Sequence, residues 1–202
     1  MKKTILFLFG CLFTLNLYAQ NDKKNLIEAH IAFGLGNYSN RYTPVIRIGM
    51  TGPSHMKYYG GIGVDYTRAL LKQWDICTGF EYSYNHIVKH SSTEIHDLSL
   101  TTIPVQIKYR FKKFIYLKGG IFFNILERGG SEFITPSRTG ISFGYGLGIG
   151  FEHILKNSGI MFSINPCIRW NGNRNIKIPE TDWRMTYSLL QAGICLGVGY
   201  KF

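Results

Sequence analysis

Between Gly140 and His153 the chain keeps a strict two-residue alternation, setting Ile141, Phe143, Tyr145, Leu147, Ile149 and Phe151 against Ser142, Gly144, Gly146, Gly148, Gly150 and Glu152. An extended strand sends successive side chains to opposite faces, so this run predicts a strand with one oily and one small or polar face. The pattern returns downstream. Ile160, Phe162, Ile164, Pro166, Ile168 and Trp170 alternate with Met161, Ser163, Asn165, Cys167 and Arg169. In the last segment Leu190, Ala192, Ile194, Leu196, Val198, Tyr200 and Phe202 alternate with Gln191, Gly193, Cys195, Gly197, Gly199 and Lys201. The same test upstream predicts strands over Leu26 to Tyr38, Lys57 to Arg68, Trp74 to Ile87, Leu98 to Phe111 and Phe114 to Leu126, which makes eight in all.

The glycines decide what those strands build. In a soluble sandwich the apolar face is the inside and charged residues cover the outside, which gives glycine no reason to dominate the polar face. In a small membrane barrel the apolar face meets lipid, and a narrow interior must house a few long polar side chains beside residues that leave them room. The connectors agree, because long links (Ser39 to Met56, Val88 to Asp97, Glu127 to Thr139, Gly172 to Arg184) alternate with short ones (Ala69 to Gln73, Lys112-Lys113, Ile154 to Ser158). Outer-membrane barrels sort their connections this way, with long loops outside and short turns in the periplasm. Both termini are then periplasmic.

Aromatic residues fall at strand ends, where lipid headgroups would lie. Tyr66, Trp74, Tyr109, Phe111, Phe151, Tyr200 and Phe202 mark one end, and Tyr58, Tyr82, Tyr84, Phe123, Phe143 and Trp170 mark the other. No stretch after residue 19 approaches the roughly 18 consecutive apolar residues of a spanning helix. The expected fold is therefore all-β, an eight-stranded antiparallel up-and-down transmembrane barrel with an interior filled by side chains.

Residues 1–19 read as a removable export signal, with Lys2 and Lys3 before an apolar core from Ile5 to Leu17 and a small residue, Ala19, before the cut. Residues 20–202 form the barrel. A lipobox at Leu8-Phe9-Gly10-Cys11 competes poorly, since the apolar run continues past Cys11. Without Cys11, Cys77, Cys167 and Cys195 remain, an odd number that is no disulfide framework. They read as small buried side chains, with one bridge between Cys167 and Cys195 left open because their strands are expected to be neighbours.

At this point the chain resembles the small outer-membrane β-barrel family common in Bacteroidetes, of the porin-family or PorT-like type. The resemblance covers nearly all of the mature chain. Its carriers are Tyr18-Ala19-Gln20, Gly60-Gly61-Ile62-Gly63-Val64, Ile103-Pro104-Val105-Gln106-Ile107-Lys108-Tyr109-Arg110-Phe111, and Gly197-Val198-Gly199-Tyr200-Lys201-Phe202. Val198, Tyr200 and Phe202 also resemble the C-terminal signal read by the barrel assembly machinery. A family of this breadth implies a fold and a place in the bacterial outer membrane, and no single activity.

Inward-pointing charges should comprise Glu28, Asp65, Asp75, Glu81 and Glu152 against Lys108, Arg110, Lys118, Arg169 and Lys201. Buried charges must pair or be costly, so these residues read as a salt-bridge plug. A general-diffusion pore needs about twice as many strands. Loop two holds His90-Ser91-Ser92 with Glu94, His96 and Asp97, the residue types of a lipid-modifying hydrolase, yet a loop fixes no nucleophile-to-base contact. Two histidines six apart are equally weak as a metal site. His30 and His153 read as interior hydrogen-bonders. The alternating glycines of Gly144 to Gly150 precede no Gly-Lys-Ser/Thr, so nucleotide binding is rejected. The expectation is a non-enzyme with no cofactor and no metal.

Net charge is +11 for the whole chain and, less the two signal lysines, +9. The basic residues form no aromatic-laced stripe and the compartment holds no nucleic acid, so a nucleic-acid partner is set aside. Arg41, Arg47 and Lys57 in loop one and Arg174, Lys177 and Arg184 in loop four are expected beside the anionic headgroups of outer-leaflet glycolipid. Pro166 removes a ladder hydrogen bond from a strand and is read as a local bulge, or as a mark on the wall where another outer-membrane protein docks. The expected role is that of a structural or accessory subunit. Its expected partners are outer-membrane lipid, the assembly machinery during insertion and other outer-membrane proteins, with a PorT-like secretion accessory or a lipid-modifying enzyme as alternatives.

Overall fold

The computed structural model describes residues 24–43, 54–89, 95–129, 141–155, 158–177 and 184–202. Eight strands follow in order: β1 (Asn25–Thr43), β2 (Ser54–Ala69), β3 (Trp74–Lys89), β4 (Ile95–Lys112), β5 (Ile115–Gly129), β6 (Ile141–Ile154), β7 (Ile160–Lys177) and β8 (Arg184–Lys201). Each pairs antiparallel with its sequence neighbours, and β1 pairs with β8 from Leu26↔Lys201 to Thr43↔Arg184, so the sheet closes into a barrel. Closure leaves no unpaired edge. The seam is tied at its base by Asn25 and Phe202, whose backbone groups exchange hydrogen bonds of 3.0 and 2.9 Å.

Every predicted strand is present, and most run further than expected toward the end remote from the termini. β1 continues to Thr43, β7 to Lys177, and β8 begins at Arg184. The strand ends that flank the long links, Thr43 and Ser54, Lys89 and Ile95, Gly129 and Ile141, and Lys177 and Arg184, all lie at the end opposite the termini. At the terminal end the turns are short. Lys113-Phe114 joins β4 to β5, and Gly159, with φ +74°, closes the β6–β7 turn in the left-handed region that glycine enters without strain.

Alternation separates wall from lumen as expected. Ile31, Ile62, Leu147 and Ile168 stand on the outer wall at 53–65% exposure, whereas the residues between them point inward. Ring contacts cluster in two bands, with Trp74–Tyr109, Tyr109–Phe111 and Tyr200–Phe202 at the terminal end. Phe123–Phe143 and Tyr145–Trp170 lie further along. The two bands flank the apolar stretch of the wall, as the aromatic girdles of outer-membrane barrels do.

The inward glycines make room where a second strand's side chain crosses the lumen. Gly150 on β6 lies opposite Tyr116 on β5, and a Cβ at 150 would overlap the Tyr116 ring, which also carries Lys108 Nζ 4.0 Å from its centroid. Gly150→Val should therefore cost about 1–3 kcal/mol through overpacking, read as a lower urea midpoint in detergent micelles. Gly60 faces the open wall with nothing within 4 Å of a built Cβ. Gly60→Val is the control, expected to stay within ~0.5 kcal/mol of the parent; equal losses at both positions would refute the crowding argument.

The prolines depart from the reading as a bulge. Pro166 is exposed on the wall and stays in register with Ile194 on β8. On its other side the β6–β7 ladder has no paired rung between Gly148↔Cys167 and Phe151↔Ile164. Pro104 does the same to β3–β4, between Thr78↔Val105 and Glu81↔Thr102. Proline has no N–H to give, and in both places the register resumes unshifted. The bulges fall elsewhere, at Met56/Tyr58, Ser99/Leu100, Arg110/Lys112 and Gly172/Arg174.

Candidate functional site

The lumen carries the polar chemistry of the described chain, and it is stratified. Near the terminal end, Asp75 lies by the start of β3 while Arg110 and Glu152 lie by the ends of β4 and β6, so three strand ends come together. Arg110 pairs with Asp75 and, through Nε at 2.7 Å, with Glu152. Glu152 also accepts from Lys108. Lys201 borders this group across a cavity of about 20 Å³ that Asp75, Arg110 and Glu152 also line.

Higher in the barrel Lys118 Nζ lies 2.6 Å from Asp65, and Arg169 Nη1 lies 2.5 Å from Glu81. His30 sits between the two carboxylates, with Nε2 3.1 Å from Glu81 and Nδ1 3.9 Å from Asp65. Glu28 accepts from the Ser163 hydroxyl. Arg169 further lies 5.3 Å from the Phe122 ring centroid and gives its Nη2 to Cys195 Sγ at 3.3 Å. The ten inward charges named from sequence thus all line the lumen, and nine of them have an ion-pair or hydrogen-bond partner there. A second cavity of about 20 Å³ lies among Glu28, Asp65, Lys118 and Arg169. Each has room for about one water, which needs ~10–15 Å³ of such space.

Above the charges runs a belt that sequence reasoning missed. Thr102 donates to Asn124 (2.8 Å), Asn124 to Asn171 (3.2 Å), Asn171 to Gln191 (2.7 Å), Gln191 to Asn85 (2.6 Å), and Asn85 to the Leu98 carbonyl (3.0 Å). The belt draws on β3, β4, β5, β7 and β8 and crosses the lumen without a formal charge. All its side chains are buried, and toward the loop end Met56, Ile87, Leu98, Leu100 and Leu189 pack into an apolar layer. The signal was available, since four amides at inward positions are as anomalous in a barrel as charges are.

Other sequence candidates fall differently. His96 and Asp97 lie on β4 rather than in a loop, and His90, Ser91, Ser92 and Glu94 lie outside the described residues. His30 is interior as expected, but His153 points outward and is exposed, because it follows Glu152 by one residue on β6. Of the basic loop residues, Arg41, Arg174, Lys177 and Arg184 prove to be strand residues at the loop end of β1, β7 and β8. Lys57 is exposed on β2, and Arg47 lies outside the described residues. The register puts Lys177 opposite Arg184, and Arg184 opposite Thr43. Val198, Tyr200 and Phe202 face the outer wall. Among the described residues no group of three or more His, Cys, Asp and Glu could hold a metal ion.

No protein-family model matches the chain, and no curated protein matches it. Solved structures do. The outer-membrane protein OprG of Pseudomonas aeruginosa aligns over 89% of this chain and 96% of its own, at 11% identity and a TM-score of 0.62. Ail, the attachment invasion locus protein of Yersinia pestis, aligns over 83% and 97% at 16% identity, with a TM-score of 0.38. The outer-membrane protein AlkL aligns over 91% and 95% at 10% identity, with a TM-score of 0.39. Of the three, OprG alone superposes well enough to bear on architecture, and at that identity it speaks to the fold and not to an activity. The chain has the fold of a small outer-membrane β-barrel, closed by eight antiparallel strands around a lumen filled with its own side chains.

Proposed function

We propose that the protein resides in the bacterial outer membrane with periplasmic termini and works as a non-catalytic structural or accessory subunit of an outer-membrane assembly. The observation that carries this reading is the occupied lumen. Among the described residues, ion pairs, an amide belt and an apolar layer fill the lumen around two spaces of about 20 Å³, which supports a barrel that acts through its wall and its ends. Val198, Tyr200 and Phe202 then serve as the strand offered to the assembly machinery during insertion. The resemblance to PorT-like barrels makes a secretion machine one such assembly.

Extraction from the native outer membrane in mild detergent should give a particle containing companion proteins at fixed stoichiometry. A particle of one chain with lipid alone would overturn the accessory role. In planar bilayers the purified barrel should show no conductance steps, and steady open currents would sink the plug.

Contact with outer-leaflet glycolipid is the second part of the proposal. Lys177 and Arg184 are partners across one rung of the β7–β8 ladder, Arg174 lies on the same β7 end, and Arg41 lies on the adjoining end of β1. Like charges across a rung are destabilising, and phosphate groups of lipid headgroups would relieve them while hydrogen-bonding the guanidinium groups. Replacing Arg174 and Lys177 with serine should lower the glycolipid that co-purifies by several-fold. Unchanged lipid content would defeat this contact and leave the accessory role standing.

A further inference from the structure

Cys167 and Cys195 both point into the lumen from β7 and β8, with their sulfurs 3.9 Å apart. They sit on diagonal rungs, since Cys167 is opposite Gly193 and Cys195 is opposite Asn165. Gly193, opposite Cys167, leaves room for the Tyr59 ring, whose hydroxyl a Cβ there would overlap. Both are buried, and both line the polar cavity that Arg169 shares. Arg169 Nη2 lies 3.3 Å from Cys195 Sγ. Cys77, the third described cysteine, instead accepts from Thr67 Oγ1 at 3.2 Å.

We propose that Cys167 and Cys195 are joined as a disulfide when the chain passes through the periplasm, stapling β7 to the closing strand β8, while Cys77 stays a thiol. The step rests on the outer-membrane reading given above, because it needs an oxidising compartment. The oxidant is a thiol oxidase that carries a reactive disulfide. One cysteine thiolate attacks that disulfide, forming a mixed disulfide and expelling one oxidase thiolate. The second cysteine thiolate then attacks the sulfur of the first, forming the Cys167–Cys195 bond and expelling the other oxidase thiolate. Both electrons pass to the oxidase dithiol, which takes up the two protons. Exchange precedes barrel closure, since the folded wall would keep a protein oxidase from sulfurs buried in the lumen. Arg169 keeps its ion pair with Glu81 afterwards.

The test uses protein taken from the outer-membrane fraction, unfolded in denaturant and alkylated with and without prior reduction, followed by peptide mapping. Without reduction Cys77 should be alkylated while Cys167 and Cys195 are blocked; with reduction all three should be alkylated. Full alkylation of Cys167 and Cys195 without reduction overturns the disulfide and leaves the membrane location untouched. Recovery of the protein from the cytosol would overturn both. Cys167→Ser supplies the second arm, in which Cys195 should become fully alkylated without reduction. A Cys195 that stays blocked there would be bonded to something else, and the proposal fails.

Discussion

Arg169→Met should destabilise the barrel by about 3–5 kcal/mol, the range found when one partner of a buried ion pair is removed. Glu81 is buried, and Arg169 supplies its closest positive contact at 2.5 Å. Without the guanidinium, that carboxylate keeps His30 at 3.1 Å, and Cys195 also loses a donor. The measurement is the urea midpoint in detergent micelles, with the heat-dependent shift in gel mobility as a second readout of a closed barrel. Glu81→Leu combined with Arg169→Met should recover most of the loss, because replacing both charges removes the orphan as well as the attraction. If the two single changes cost less than ~1 kcal/mol each and simply add, the pair does not act as a unit and the plug loses its central member.

That result would bear on how far the lumen can be inferred from one-dimensional pattern. Parity alone placed Glu28, Asp65, Glu81, Lys118 and Arg169 inside, since alternation and the direction of the apolar face fix which side each residue occupies. It could not say that Glu81 would find Arg169 across 88 positions of chain, because the pairing depends on the stagger of a closed sheet. Strand ends were the weakest part of the reading. Loop-end segments such as Arg174–Lys177 and Arg184–Thr186 carry one apolar residue each, Ile176 and Met185, too few to continue the alternation, so periodicity does not distinguish a strand that extends past the apolar band from the loop beyond it. His153 faces outward because its neighbour Glu152 occupies the inward rung of β6, which residue type alone does not show. The amides of the belt carry no formal charge to mark them in the sequence, although the penalty for burying an unpartnered amide is of the same kind.

The belt therefore makes its own prediction. Gln191→Leu should cost about 2–6 kcal/mol, since it removes one donor and one acceptor and leaves two buried groups unpaired at ~1–3 kcal/mol each. Gln191 gives its Nε2 to Asn85 Oδ1 and takes Asn171 Nδ2 on Oε1, so the orphans are one oxygen and one amide hydrogen. Gln191 is 2% exposed and Asn85 fully buried, so bulk water has no ready access to either orphan. Gln191→Glu discriminates belt geometry from simple volume. A carboxylate keeps the acceptor for Asn171 but faces Asn85 Oδ1 with another oxygen, so Asn85 must turn its amide over to donate. That turn breaks its 3.0 Å bond to the Leu98 carbonyl. Stability should then fall with either substitution, and Asn85→Asp in the Gln191→Glu background should fall further, with two carboxylates in one layer. A Gln191→Leu protein with an unchanged urea midpoint would mean that the apolar layer of Leu98, Leu100 and Leu189 closes the lumen without the belt, and the belt would then have no part in holding the strands together.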